Sequence, residues 1–246
     1  PYQQGLKRER ELFTELLESR DATAQRHVFF AERETSKIPD IPKATPVRPI
    51  NKVGIIGAGT MGGGITMNFL NVGIPVILLE QKQDALDHGI SIIRKNYQRS
   101  VKGGRMTEEA LEACMNLITP SLDYADLSSV DLVVEAVFET LEIKKAVFSS
   151  IDAVAKDGCI LASNTSYLDI NEIAESTSRP QDVIGLHFFS PANIMNLLEV
   201  VRGEKSDPEV INTGMLLAKT IMKTPVLSRV GWGFIANRVM KVRSFQ

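Results

Sequence analysis

Residues Gly57-Ala58-Gly59-Thr60-Met61-Gly62 have the spacing G-x-G-x-x-G, directly after the apolar run Lys52-Val53-Gly54-Ile55-Ile56 and directly before a helical stretch, Ile65 to Val72. A glycine triplet alone says little. With a buried strand before it and a helix after it, the triplet reads as the turn that holds the pyrophosphate of a dinucleotide. Gly57 permits the tight turn, Gly59 lets the backbone approach the phosphates, and Gly62 lets helix and strand pack closely. The helix start adds N–H groups and a positive dipole end. Glu80 ends the next apolar run, 23 residues after Gly57. A carboxylate there can accept hydrogen bonds from ribose hydroxyls and would repel a 2′-phosphate, which points to NAD rather than NADP. A glycine-rich turn without a ligand is the competing reading.

His187 is the second residue whose type and place could do chemistry. Of the three histidines, His27 falls in the N-terminal helical stretch and His88 on a solvated helix. His187 stands near the end of the apolar run 183–188 and leads into Phe188-Phe189-Ser190-Pro191. Open α/β sheets bind ligands outside the carboxyl ends of their strands. An imidazole there titrates near neutrality and suits a general base. On these grounds alone, a structural histidine is an equal alternative. Two other strand ends carry polar groups. Glu139 follows Val137-Phe138 after the run 131–137, and Ser163-Asn164-Thr165-Ser166 closes the run 159–163.

These groups need a sheet to hold them. Apolar, non-alternating runs at 52–56, 75–79, 130–137, 159–163 and 183–188 alternate with helical stretches at 83–101, 107–116 and 141–155. That pattern predicts a parallel sheet covered on both faces. A further helix is expected over 207–223, then Pro225-Val226-Leu227, then Gly231 to Gly233 and a last helix whose apolar face includes Phe234, Ile235, Val239 and Met240. Ahead of the sheet, residues 5–36 read as one long helix with a stripe of Leu6, Phe13, Leu16, Leu17, Ala24, Val28 and Phe29. Four prolines in the fourteen residues 37–50 bar helix and central strand and predict a semi-rigid linker. No internal repeat is visible.

Composition closes off other classes. A net charge of −2 gives no global case for nucleic acid or a membrane surface. No apolar run approaches the roughly 20 residues that a membrane span needs. Cys114 and Cys159 lie far apart in apolar settings, offering neither metal-ligand spacing nor a disulfide framework, so no metal is expected and a reducing compartment is. The chain opens on Pro-Tyr-Gln-Gln and closes on Arg243-Ser244-Phe245-Gln246 within an expected helix, so both ends read as cuts.

Four blocks, Ser163-Asn164-Thr165-Ser166, His187-Phe188-Phe189-Ser190-Pro191, Leu197-Leu198-Glu199-Val200-Val201 and Gly233-Phe234-Ile235-Ala236-Asn237-Arg238, resemble in order and spacing the L-3-hydroxyacyl-CoA dehydrogenases. The likeness runs from about Asn51 to the end. The first 50 residues resemble the helix that follows the hydratase/isomerase part of multifunctional β-oxidation enzymes. The resemblance implies a doubly wound Rossmann-type α/β fold with an N-terminal docking helix and the start of a helical C-terminal domain. The implied division is a linking helix at 1–36, a linker at 37–50, an NAD-binding domain at 51–230 and the first helix of a further domain at 231–246.

It also implies roles. His187 would take the hydroxyl proton of the substrate, and Glu199, twelve residues on, would orient and stabilise the ring. Ser166 and Asn237 would bond the reacting oxygen or the histidine. Gly57, Gly59, Thr60, Met61, Gly62, Glu80, Val137, Phe138, Glu139, Lys144 and Ser166 would face NAD. Ser190 departs from family members with asparagine there and is a weaker candidate. The bland alternatives are a solvated strand-end acid for Glu199 and a surface helix pair for Glu139 and Lys144. Among Arg94, Lys95, Arg99, Lys102 and Arg105, one or two would touch CoA phosphates, against a simple solvated basic face. A related β-hydroxy acid dehydrogenase, such as a 6-phosphogluconate or 3-hydroxyisobutyrate enzyme, would be expected to use a lysine base. A third reading is an NAD-binding module without turnover. The implied partners are an acyl-CoA, a second copy of the chain and, for the parent enzyme, a thiolase. The implied compartment is first the cytoplasm, for a bacterial parent, and second the peroxisome, for a eukaryotic one. The end helices are expected to cover their apolar stripes on the sheet body or on a second copy.

Overall fold

The computed structural model describes residues 1–244. The polypeptide divides into two compact units, Pro1–Lys37 and the chain from Ile38 onward. In the first, the expected single helix is two, α1 (Tyr2–Glu18) and α2 (Arg20–Thr35). The break is at Ser19, whose backbone is extended and whose hydroxyl accepts from the Ala22 N–H. A serine that caps the next helix competes with the continuous ladder, a local contest that apolar spacing does not register. Neither helix buries a residue, and Leu6, Phe13, Leu16, Leu17, Val28 and Phe29 are exposed.

The second unit is built on one eight-stranded sheet. Its strands are β1 (Val53–Ile56), β2 (Val76–Leu79), β3 (Ile118–Ser121), β4 (Leu132–Glu135), β5 (Ile160–Ser163), β6 (Val183–Phe188), β7 (Leu197–Arg202) and β8 (Thr224–Arg229). The order is β3-β2-β1-β4-β5-β6-β7-β8. Strands β1 to β6 are parallel, as the buried apolar runs of all but β3 require. Two features depart from an all-parallel sheet. Strand β7 runs antiparallel to β6, and β8 runs parallel to β7. The direct loop 189–196 explains the first, since only antiparallel neighbours can be joined without a crossover.

Helices α3 (Thr60–Leu70), α4 (Gln83–Lys102), α5 (Glu108–Met115), α6 (Leu141–Val154), α7 (Ile170–Ala174) and α8 (Pro208–Thr220) cover the sheet, and α9 (Ala236–Ser244) follows β8. Two apolar cores result. One holds Ile55, Phe69, Leu78 and Leu186, the other Ile56, Phe148, Leu161 and Val201. The 37–50 segment differs from a free spacer, since from Ile38 it packs as part of this unit. Ile41 is buried, Arg48 pairs with Asp182 at 2.7 Å, Asp40 pairs with Arg202, and Asn212 Nδ2 donates to the Thr45 carbonyl. Prolines make a segment extended, and an extended segment with periodic side chains can lie along a surface.

Helix α9 begins later than expected. Phe234 precedes it at φ 48° and is buried, whereas Val239, Met240 and Val242 are exposed, so α9 does not cover its stripe on the sheet.

Candidate active site

The glycine turn occupies the carboxyl end of β1. Gly57 has φ 101°, a left-handed conformation that favours glycine, and a Cβ there would meet the Ala136 carbonyl at 2.8 Å. A Cβ on Gly62 would lie 1.8 Å from the Gly57 carbonyl oxygen, so the start of α3 can sit on the turn only without one. Over Gly59 there is nothing within 4 Å of an ideal Cβ, and that open space lies at the N-terminus of α3. Thr60 is exposed and Met61 half-buried beside it. Glu80 extends a carboxylate oxygen to the Ala58 N–H at 3.0 Å, which fixes an acid against the turn. A bare backbone surface, a helix start and an adjacent acid fit the pyrophosphate and adenosine ribose of NAD.

The second centre spans β6 and β7. His187 and Glu199 are register partners across the antiparallel pair, so the twelve-residue spacing becomes direct adjacency. His187 Nδ1 lies 2.7 Å from Glu199 Oε2, and the side chains are 4% and 1% exposed. The alternative of a solvated acid at Glu199 is thereby overturned. Its other oxygen, Oε1, accepts the N–H groups of Ile235 at 3.0 Å and Ala236 at 2.8 Å. The ring of His187 is flanked by Phe189, with centroids 4.4 Å apart, and Phe234, at 5.6 Å. A carboxylate on Nδ1 leaves Nε2 as the working nitrogen of the ring. Asn237 is the second residue of α9, half-buried and one position beyond the Glu199 contact.

A third cluster lies at the ends of β4 and β5. Lys144 is 1% exposed, with its ammonium 2.6 Å from Glu135 and 3.4 Å from Glu139, so the surface-pair alternative for Glu139 and Lys144 is overturned. Glu139 Oε1 accepts the Thr165 hydroxyl at 2.6 Å and the N–H groups of Ser166 at 2.7 Å and Tyr167 at 3.2 Å. Burial raises the Glu139 carboxyl, but these bonds and Lys144 outweigh it and hold the group below the ordinary glutamate range. Val137 and Ser166 are half-buried, while Phe138 and Ser190 are exposed. Burial pushes the Cys159 thiol up to about 12, which leaves it unreactive.

The 3-hydroxyacyl-CoA dehydrogenase NAD-binding domain family matches residues 52–230. The chain belongs to this family. It is 43% identical over 246 residues to the peroxisomal bifunctional enzyme of Cavia porcellus, covering 98% of the chain and 34% of that protein. It is 40% identical over 235 residues to the peroxisomal fatty acid β-oxidation multifunctional protein of Oryza sativa subsp. japonica, covering 95% of the chain and 32% of that protein. The chain thus spans about a third of the length of these curated relatives. Among solved structures, the (S)-3-hydroxybutyryl-CoA dehydrogenase of Ralstonia eutropha superposes with a TM-score of 0.77 at 33% identity, over 78% of this chain and 68% of that one. The 3-hydroxybutyryl-CoA dehydrogenase of Escherichia coli gives 0.76 at 37% identity, over 78% and 41%.

In this NAD-binding domain, several residues that hold the site together were given no role by the sequence motifs. Glu135 is a fully buried carboxylate inside an otherwise apolar strand. A lone acid within Leu132-Val133-Val134-Glu135-Ala136 was the available signal. Asn164 accepts the Phe188 N–H at 2.9 Å and so ties the end of β5 to the strand that carries His187. Gly89 in α4 lets that helix rest on the turn, since a Cβ there would be 2.3 Å from the Ala58 carbonyl. No sequence pattern marked it. Of the basic residues of α4, Arg94 is engaged by Glu112, while Lys95, Arg99 and Lys102 are exposed.

Proposed function

We propose that this domain carries the cofactor and the proton-transferring dyad of an NAD-dependent L-3-hydroxyacyl-CoA dehydrogenase, as one part of a multifunctional β-oxidation enzyme. The 2.7 Å contact between His187 Nδ1 and Glu199 Oε2 across β6 and β7 carries the reading. When bound, NAD⁺ accepts the hydride from C3 of the substrate. His187 takes the hydroxyl proton at Nε2 and Glu199 offsets the charge that the ring gains. The two backbone N–H groups on Glu199 Oε1 hold the carboxylate so that it cannot swing away. Ser166 and Asn237 are the candidates to bond the reacting oxygen. Met61, Glu80, Val137, Phe138, Glu139, Lys144, Ser166 and Ser190 are the candidates around NAD, with the glycine turn beneath the phosphates.

The substrate class is an acyl-CoA. A cleft of about 310 Å³ opens between the glycine turn, α4 and the 191–193 segment, lined by Gly59, Thr60, His88, Ile92, Asn96 and Asn193 among others. It supports passage of the CoA moiety beside α4, where Lys95, Arg99 and Lys102 remain exposed. The boundaries 1–36, 37–50, 51–230 and 231–246 are part of this proposal. So is a peroxisomal setting, which the names of the guinea-pig and rice relatives favour over a bacterial cytoplasm. Self-association would act through the exposed Val239, Met240 and Val242 of α9. Association with a thiolase rests on the family resemblance alone.

The test is steady-state oxidation of NADH with acetoacetyl-CoA, measured in this chain and in the full-length polypeptide. Robust turnover in the latter and far slower turnover in the former is expected, because these residues span about a third of the relatives they match and a reacting carbon has to be shielded from water. Absence of turnover in both, with NADH bound, would leave a cofactor-binding module.

A further inference from the structure

Two carboxyl groups and an amine, those of Glu135, Glu139 and Lys144, sit where β4 and β5 end, and only Glu139 and Lys144 have cofactor roles implied by the family resemblance. Glu135 is fully buried and spends its oxygens on three donors. Oε1 accepts the Val137 N–H at 2.7 Å and the Lys144 ammonium at 2.6 Å, and Oε2 accepts the Ser163 hydroxyl at 2.7 Å. Its main-chain carbonyl accepts the Asn164 N–H at 2.8 Å. Lys144, equally enclosed, turns its ammonium also to Glu139 at 3.4 Å. Glu139 in turn gathers the Thr165 hydroxyl and the Ser166 and Tyr167 N–H groups on one oxygen. The chain of contacts therefore starts in the sheet and ends on the backbone of Ser166.

Isolated buried charges are costly, and a buried pair holds only where the remaining lone pairs are met. Here they are met by the Val137 N–H, by the Ser163 hydroxyl at the end of β5 and by Thr165, Ser166 and Tyr167 in the segment that follows. The two carboxylates and one ammonium thus do more than neutralise each other. Glu139 bonds the Ser166 N–H between the ties that Asn164 makes to Phe188 and Thr165 makes to Leu168.

We propose that Glu135 is a positioning residue for the dehydrogenase reaction. Acting through Lys144 and Glu139, it presets the loop Ser163–Tyr167 so that Ser166 is already placed before any ligand arrives. This rests on the role proposed above for Ser166, but the preset loop itself does not depend on which substrate is used.

The experiment is hydrogen exchange on the ligand-free 246-residue chain, read at the amides of residues 164–168 against the rest of the sheet. Emission from Trp232 provides a second readout. It is the chain's only tryptophan, and its ring centroid lies 5.4 Å from that of Tyr167. Glu135→Gln keeps the shape and removes the charge. Exchange in the loop should rise about tenfold or more, as loss of a charged hydrogen bond predicts, while β1 and β2 amides stay unchanged. Glu135→Asp should recover part of the protection. If Glu135→Gln does not fold, the double variant Glu135→Gln/Lys144→Met removes both charges together, a change that buried pairs tolerate far better than loss of one partner.

A merely structural role predicts that the double variant melts like the parent protein and keeps its loop protection. That result, or a uniform rise of exchange across the whole sheet in Glu135→Gln, would overturn the proposal. A stable double variant with selectively exposed Ser166 and Tyr167 amides and altered Trp232 emission would support it. NADH titration of the same variants separates this from the functional reading. Parent protein that fails to bind NADH sinks the latter, whereas the exchange result stands without it.

Discussion

The carboxyl ends of β1 and β6 carry the two proposed centres of the same sheet, yet they are built from different material. At β1 the surface is main chain. Gly57 and Gly62 leave no room for a side chain, Gly59 leaves the space above it open, and α3 starts there. At β6 the proposed working groups are two side chains on different strands, each nearly enclosed, with their hydrogen bonds supplied by residues at least twelve positions away. A site made of backbone tolerates exposure because its donors are fixed by the fold. A site made of buried ionisable groups holds together only through its surroundings. On the proposed roles, binding and chemistry are separable, and substitutions should divide them.

The largest expected effect lies at β6. His187→Gln in the full-length polypeptide should lower kcat by about 10²–10⁴-fold, the usual contribution of a general base, with NAD⁺ affinity nearly unchanged by calorimetry. If affinity falls in parallel, the two centres are one. The reciprocal change comes next. Gly62→Ala forces a Cβ to within 1.8 Å of the Gly57 carbonyl, and overpacking of that kind costs about 1–3 kcal/mol. NAD⁺ affinity should fall roughly 10–100-fold while the environment of His187, followed by its NMR titration, stays as it was.

A smaller effect concerns the acid beside the turn. NAD⁺ should bind at least about tenfold tighter than NADP⁺, a difference of about 1.4 kcal/mol, and Glu80→Gln should narrow that margin. Equal affinities in the unaltered protein would remove the argument from Glu80. The smallest effect is a pH dependence. Glu139 is held below its ordinary range in the folded chain, with burial opposing and the Thr165, Ser166, Lys144 and Tyr167 contacts prevailing. A depressed carboxyl contributes stability that is complete above its unfolded value, about 4.3, and disappears as pH falls through the folded value. Trp232 emission and NAD⁺ affinity should accordingly be flat from neutrality to about pH 5 and change only below about pH 4. A transition near pH 6 would assign the loop to a different group.

The contrast between the two centres also explains what could be read in advance. Backbone sites announce themselves, because glycines at fixed offsets and an acid at the end of the next strand are local facts, and the parallel strands β1, β2, β4, β5 and β6 follow from uninterrupted apolar runs. The antiparallel turn of β7 is not local. It makes His187 and Glu199 neighbours through the register, which no spacing rule supplies, and the likeness of the motifs to a known family had to stand in for it. Strand β3, with Pro120 in it and half its residues exposed, carries no apolar run to find. Glu135 and Lys144 are hidden for a related reason: a charge is normally read as surface, and only the folded neighbourhood shows that these two satisfy each other inside. Ser19 splits the first helix through a single hydroxyl that hydrophobic spacing passes over.

The bonds that hold Glu199 come from the main chain of Ile235 and Ala236. Main-chain donors are present in every amino acid but one. The contact that orients Glu199 therefore does not depend on the side chains of residues 235 and 236, and only proline at either position would remove a donor. Seen as a problem of inheritance, the acid beside His187 is buffered against side-chain changes at these two positions. The tolerance ends at their neighbour Phe234, whose ring is buried against that of His187.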